Sequence, residues 1–455
     1  MIVADALARW HRLIGDDVLF LTGTDEHGLK IARSAEEHGV SPKEWVDQAS
    51  TWFLRAWADL GITQDDFIRT TDERHTTSVA KFVQTIFDNG FIYKGDYAGW
   101  YCVSCENYYV ESDLLEGGRC PIHETPAEWV TEENYFFALS KFQDRLTDWY
   151  ERNPSSVLPE SRRNEALGLI RQGLGDFSIS RTSFDWGIPV PWDDRHVFYV
   201  WFEALMNYIT VLGYPENSDF EHYWPASIQV IGKDIIRFHA AIWPAMLLSL
   251  GLDLPKVLYV HGFLNIDGKK MSKTLGNYIA PSEIIEEYGA DALRYYLLRH
   301  IPSYSDGDFS RVTFEASYNN ELANELGNAL NRTLAMINNY LGGEIGAIPP
   351  PEHDIAGYQR AIEECRFDRA LDEVWAQVRG LNQYIDETKP WVLAKSDDKD
   401  HLREVLAYQV GSLLEVAELL GPFMPETALK IKNTFKSGKI SSTQATLFPK
   451  KDQPK

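Results

Sequence analysis

Lys270 and Lys273 stand in Gly268-Lys269-Lys270-Met271-Ser272-Lys273-Thr274, with Gly276 two residues beyond. Glycines let the backbone of such a loop move. A pair of mobile ammonium groups with hydroxyls beside them suits a polyphosphate whose charge redistributes during reaction. A solvated basic turn is the alternative that the lysines alone leave open. A second constellation sets Cys102-x2-Cys105 before Cys120-x2-His123. Two tight pairs of soft ligands have the spacing of tetrahedral zinc, and without a free base or open position the ion's role is structural. Buried free thiols are the alternative there. In a third string, Gly232-Lys233-Asp234 follows the strand-like residues 228–231 and opens a helix that carries Phe238 and His239. Strand, glycine turn and helix N-terminus together favour an anion.

The elements that must position these groups follow from patterning. Residues 4–14 have helix-forming composition with apolar positions at helical spacing. Residues 17–22 read as a buried parallel strand that ends in Gly23-Thr24-Asp25-Glu26-His27-Gly28, where open α/β sheets bind ligands. Helix is expected from there through about residue 89. Residues 197–199 are strand-like, and a helix starting after them would set Trp201, Ala204 and Tyr208 on one face. Residues 228–231 and 257–260 are further short buried strands. Strands alternating with helices give α/β architecture with a parallel sheet. The chain opens on a helix with no strand before it, which leaves the centre of a doubly wound sheet to be explained. Residues 311–425 are helical in composition, broken near Pro349-Pro350-Pro351 and Lys389-Pro390, and form a separate bundle. The polar, basic residues 437–455 read as a frayed tail.

Composition narrows the class. A chain of 455 residues with 44% hydrophobic and 13% aromatic content is globular and large enough for two or three domains. No apolar run reaches the length of a membrane helix, and the start has no signal-peptide or transit-peptide layout. Four cysteines, three of them clustered, argue for a reducing compartment, so a cytoplasmic location is expected. Cys365 stands alone and reads as a small core residue. The formal charge of −23 counts against nucleic-acid binding unless a local patch provides it.

The lysine loop resembles the Lys-Met-Ser-Lys-Ser loop of class I aminoacyl-tRNA synthetases, with Thr274 in the last position. The loop, the Gly-Thr-Asp-Glu-His-Gly turn, the knuckle, Tyr199-Val200-Trp201-Phe202-Glu203-Ala204, Gly232-Lys233-Asp234-Ile235 and the helical tail occur in the order found in methionyl-tRNA synthetases of the single-knuckle bacterial or organellar type. The resemblance spans essentially the whole chain. It implies a Rossmann-type catalytic domain, residues 1–94 and 166–310, interrupted by a zinc-knuckle insertion, residues 95–165. An all-α anticodon-binding bundle follows at residues 311–436, with the tail at 437–455.

By that resemblance Asp25 takes the ammonium group of methionine, and Trp201, Ala204, Tyr208, Phe238 and His239 form the thioether pocket. Lys233 and Asp234 face the ribose and phosphates of ATP, which arrives with Mg2+. His261 and Gly262 border the adenine, and Lys270 and Lys273 stabilise the departing pyrophosphate. Asn328 and Arg332, four apart on one helical face, read the anticodon with Trp391; without the resemblance the first two would be a solvated surface pair. Partners would be methionine, ATP and initiator and elongator tRNA(Met). No membrane and no appended dimerisation or tRNA-binding domain is expected. Two departures stand out. Leu205 occupies a position where the family has proline. The family's His-Ile-Gly-His signature has no counterpart, and His11 and His27 do not replace it. The expectation from this is a chain lacking its first strand and half of its ATP clamp. A non-catalytic tRNA-binding paralogue or an inactive fragment is the alternative.

Overall fold

The computed structural model describes residues 1–104, 107–109, 111–266, 268–270, 279–348, 354–396, 398–436 and 447–451. The chain divides into two compact units. One comprises Leu19–Arg55 and Gln64–Val260, the sheet unit; the other comprises Met1–Val18, Ala56–Thr63 and His261–Lys455, the bundle unit.

In the sheet unit, the strand Leu21–Thr24 pairs in parallel with Asp66–Arg69. Gly23 permits this, because a Cβ there would lie 2.0 Å from the Ile68 carbonyl oxygen. The strand Val257–His261 pairs in parallel with Val157–Leu158 and neighbours Ile228–Gly232. The helix Glu73–Asp88 turns Val79, Phe82, Val83 and Ile86 onto one face, which enters a single core with Trp243, Met246 and Leu247. Parallel strands joined through helices are the α/β, Rossmann-type arrangement expected from the alternation. The insertion is antiparallel: Ile92–Cys102 runs against Glu128–Phe137 from Ile92 opposite Phe137 to Tyr101 opposite Glu128.

The bundle unit begins with the helix Ile2–Leu13. Its fully buried Asp5 accepts hydrogen bonds from the Thr63 backbone and hydroxyl at 2.8 and 2.7 Å, and pairs with Arg294 at 2.7 Å. Arg294, equally buried, donates to the carbonyls of Phe423, Pro422 and Leu60. A buried carboxylate is tolerated only when paired and bonded in this way. Long helices follow, including Asn328–Leu341, Phe367–Thr388 and Lys399–Leu420. Helix Phe367–Thr388 stops at Lys389, whose φ is 46°, and Pro390 starts the next short helix. Cys365 is fully buried. No helix among the described residues is long and apolar enough to cross a membrane.

Three expectations need correction. The first strand begins at Leu21, not at residue 17. The Phe20 amide donates to the Asp65 carboxylate and the Phe20 carbonyl accepts from the Asp65 amide, so a side chain takes part of the pairing before the ladder starts. Helix does not run unbroken to residue 89, because Asp66–Arg69 is a strand. Only Ile68 in it is deeply buried, so its signal is too short to see without its partner. Within the tail, residues 447–451 are not frayed. Phe448 is buried edge-on against Tyr318, the Tyr318 hydroxyl donates to the Pro449 carbonyl, and Asn319 bonds Lys451 in both directions.

Candidate functional site

The strand Asp193–Phe198 delivers the chain into the helix Val200–Ala204, which breaks at Leu205 and Met206 before Asn207–Thr210. The helix is thus two pieces, and Trp201 and Tyr208 reach the same pocket from different pieces. Trp201 stacks on Phe238 with centroids 4.8 Å apart. Tyr208 places its hydroxyl 3.0 Å from His239 Nε2. Phe238 and His239 lie on a π-helical turn, Phe238–Ile242, that leads into Trp243–Ser249; such widened turns concentrate at functional sites. Ala204 is buried.

Burial sets the electrostatics of this pocket. His239 is pushed down to about 4 by burial, against a hydrogen bond with the Ile235 carbonyl at 3.2 Å. It is therefore neutral at pH 7, with Nδ1 donating to that carbonyl and Nε2 accepting from Tyr208. Burial raises the Tyr208 phenol, and the Asp25 charge raises it further. Asp25 itself is exposed. Stacked aromatic rings beside a neutral imidazole, with a carboxylate charge acting on them, suit a small zwitterion with a polarisable side chain.

Spacing gave no role to four other polar residues that the fold brings in. Glu203, fully buried, sits between His27 Nδ1 and His75 Nε2, each at 2.9 Å, and His75 Nδ1 lies 2.8 Å from the Thr210 hydroxyl. Burial opposes ionisation of Glu203, but the hydrogen bonds from His27 and His75 hold it below the ordinary carboxylate range. The one sequence signal was an acid inside the apolar run Val200-Trp201-Phe202-Glu203-Ala204-Leu205, since such an acid must be paired.

In the knuckle, ligand atoms of Cys102, Cys120 and His123 lie within 4.8 Å of one another, and Cys120 Sγ is 3.9 Å from His123 Nδ1. A zinc tetrahedron with metal–ligand bonds of about 2.0–2.3 Å has edges of roughly 3.5–3.8 Å, so the Cys120–His123 separation is close to such an edge and the donor types fit that ion. The Ile122 amide donates to Cys120 Sγ at 3.4 Å, as backbone groups around a thiolate centre do. The predicted fourth ligand, Cys105, lies outside the described residues.

The lysine loop belongs to the bundle unit. Its leading strand Leu264–Ile266 pairs with Gly307–Phe309 in parallel and with Lys269–Lys270 in the opposite sense. Asp306 accepts from the Phe263 amide at 2.9 Å and Asp308 from the Gly268 amide at 2.6 Å. These carboxylates fix the base of the loop, a role that spacing did not suggest for them. A Cβ on Gly262 would meet the Ser305 carbonyl oxygen at 2.3 Å, so this position admits only glycine. His261 is exposed, with Nδ1 2.9 Å from the Gly262 carbonyl oxygen. Lys273 lies outside the described residues, and Lys270 is placed by its backbone in the short strand Lys269–Lys270. Lys233, half-buried, and Asp234, exposed, lie in the tight turn Lys233–Ile235 of the sheet unit.

In the bundle, a π-helical stretch, Tyr318–Gly327, runs straight into the helix Asn328–Leu341. Asn328 is exposed. Arg332 donates to Asp386 at 2.7 Å and lies over the Trp391 ring, 5.8 Å from its centroid. Two helical segments thereby bring a guanidinium and an aromatic plane together, a pairing that the spacing alone did not suggest.

The family model described as "tRNA synthetases class I (M)" matches residues 1–125 and 110–334. The methionine–tRNA ligase of Caldanaerobacter subterraneus subsp. tengcongensis is 47% identical over 447 residues, covering 94% of this chain and 69% of its own length. That of Bacillus subtilis is 44% identical over 456 residues, with the same two coverages. The crystal structure of Mycobacterium tuberculosis methionyl-tRNA synthetase bound by methionyl-adenylate superposes with a TM-score of 0.92 at 38% identity, covering 98% of this chain and 95% of that one. Sequence, fold and the order of the motifs agree, and the chain belongs to the methionine–tRNA ligase family of class I tRNA synthetases.

Proposed function

We propose that the protein activates methionine with ATP to methionyl-adenylate and passes the methionyl group to the 3′ end of initiator and elongator tRNA(Met). The observation that carries the methionine assignment is the pocket itself: Trp201 stacked on Phe238, Tyr208 bonded to a neutral His239, and Asp25 close enough to act on the Tyr208 phenol.

Asp25 receives the substrate ammonium, for which a carboxylate is the natural partner. Trp201, Ala204 and Phe238 enclose the thioether, and Tyr208 and His239 present polar atoms that are already hydrogen-bonded to each other. A branched apolar chain of similar size would lose the sulfur–aromatic contacts. Activation is an in-line attack of the methionine carboxylate on the α-phosphate, in which positioning and charge stabilisation do the work. Lys233 and Asp234 face the ribose and phosphates, His261 and Gly262 border the adenine, and Lys270 and Lys273 stabilise the departing pyrophosphate, with Mg2+ arriving on ATP. Zinc supplies a structural cross-link in the knuckle; Cys102, Cys105, Cys120 and His123 would hold it. Asn328, Arg332 and Trp391 read unstacked anticodon bases by edge hydrogen bonds and stacking.

The deciding experiment is exchange of pyrophosphate into ATP by the natural protein, with each of the twenty amino acids offered in turn. Methionine alone should support exchange; a larger rate with leucine or isoleucine would end the methionine assignment. Metal analysis of the same preparation should return one zinc per chain, and Cys120→Ser should reduce it.

A further inference from the structure

The turn that carries Asp25 is held on every side by groups the activation chemistry does not use. On one flank Glu26, 2% exposed, accepts from Thr24 Oγ1 and Arg69 Nε at 2.7 Å and from Thr71 Oγ1 at 2.5 Å. On the other, His27 bonds Glu203. Trp186 clasps the backbone between them. Its indole donates to the Glu26 carbonyl at 2.7 Å, its own carbonyl accepts from the Gly28 amide at 3.2 Å, and its ring meets His27 edge-on.

Glu203 lies on the helix Val200–Ala204, between Trp201 and Ala204 of the thioether pocket. Both of its oxygens are taken, one by His27 from the Asp25 turn and one by His75 from the helix Glu73–Asp88. Thr210, on the second helical piece with Tyr208, fixes the other nitrogen of His75. The chain of bonds therefore runs from the Asp25 turn through Glu203 to both pieces of the pocket wall. With Glu203 ionised, His27 donates to it from Nδ1 and His75 from Nε2, while the Thr210 hydroxyl bonds His75 Nδ1 and reaches the Asn207 carbonyl. Each ring is thereby held in one orientation.

We infer that Glu203 is a positioning residue that fixes the distance between the ammonium site at Asp25 and the thioether pocket, and so sets the length of side chain the enzyme accepts. This rests on the methionine-activating reading above. A packed wall alone would reject longer side chains, whereas a fixed span also rejects shorter ones, because an amino acid that reaches Asp25 then fails to fill the pocket.

The test uses the natural protein and Glu203→Gln, which keeps the shape and can still bond both rings but loses the charge that orders them. Pyrophosphate exchange is measured with methionine, with S-methylcysteine, which has one methylene fewer between amine and sulfur, and with varied ATP. The expected result is a KM for methionine raised roughly tenfold, a KM for ATP within about twofold of wild type, and a methionine preference over S-methylcysteine reduced roughly tenfold. A variant that is merely less stable would lower activity toward both amino acids in the same ratio. An unchanged preference, or equal rises in both KM values, overturns the inference. Should Glu203→Gln fail to fold, Thr210→Val, which removes only the hydroxyl that orients His75, replaces it in the same measurements, with a change in preference of roughly threefold expected and no change overturning the inference. Wild-type exchange that ignores methionine overturns the parent reading and this inference with it. Methionine-dependent wild-type exchange beside an unaltered Glu203→Gln overturns this inference alone.

Discussion

The pocket around Trp201 and the bundle face around Arg332 employ similar residue types under opposite conditions. In the pocket the rings are packed against the core, and Tyr208 and His239 already satisfy each other. Little ordering remains to be done when a ligand arrives, and any polar group it fails to match is costly. On the bundle face Trp391 is 36% exposed and Asn328 is exposed. Arg332 is held by Asp386, whose side chain is 65% exposed, in a pair screened by water. In the anticodon-reading role proposed for this face, the ordering cost would fall on binding, with side chains free to adapt to a base. A rigid buried site discriminates among small molecules, and an exposed, adjustable one suits a large partner that supplies many contacts. Substitutions should therefore divide cleanly, each changing one substrate's parameters and not the other's.

The largest separation is expected from Trp201→Ala. Without the indole the thioether loses its aromatic wall, and kcat/KM for methionine should fall by roughly two to three orders of magnitude in the exchange assay, about 3–4 kcal/mol. The tRNA dissociation constant, measured by filter binding, should stay within about twofold. Weakened tRNA binding in this variant would break the comparison. The pH dependence of stability is next in size and belongs to the pocket. His239 titrates at about 4 in the folded chain against 6.5 as a free group. Between those values the unfolded chain takes up a proton that the folded chain refuses, so this residue makes stability fall as pH drops from about 6.5 to about 4. The full loss is about 3 kcal/mol. Urea midpoints across that range should decline less steeply for His239→Gln than for wild type, and parallel slopes would remove His239 from the account.

How much of this was legible depends on where each signal lives. Strands 228–231 and 257–260 and the break at Pro390 are local patterns, and the fold places them as read; of the knuckle it brings Cys102, Cys120 and His123 together. Asp66–Arg69 is different: its one deeply buried residue, Ile68, gains meaning only beside Gly23 of its partner strand. Glu203, His27 and His75 are separated by as many as 176 positions, so no spacing rule joins them, and only the demand that a buried acid be paired hinted at a partner. Asp306 and Asp308 lie just before the expected bundle at residue 311 and carry no local signal, yet their carboxylates anchor the loop some forty residues earlier. Residues 447–451 looked like a tail because composition cannot show that Tyr318 offers Phe448 a place to pack.

The smallest effect expected, and the sharpest check of the contrast, comes from Arg332→Lys. Charge is kept, so long-range attraction for tRNA survives, and an exposed pair with Asp386 is worth only about 0–1 kcal/mol in either variant. What the change removes is the planar fork that can bond a base edge while lying near Trp391. Aminoacylation should show kcat/KM for tRNA(Met) lowered by roughly fivefold to tenfold, about 1–1.4 kcal/mol. Methionine-dependent exchange without tRNA should be unchanged, because the site for that half-reaction holds no residue of this face. Asp386→Asn frees Arg332 without altering it and should cost less than Arg332→Lys. If instead Asp386→Asn proves the more damaging, the guanidinium is pre-oriented by its partner, and the bundle face is closer in kind to the buried pocket than its exposure suggests.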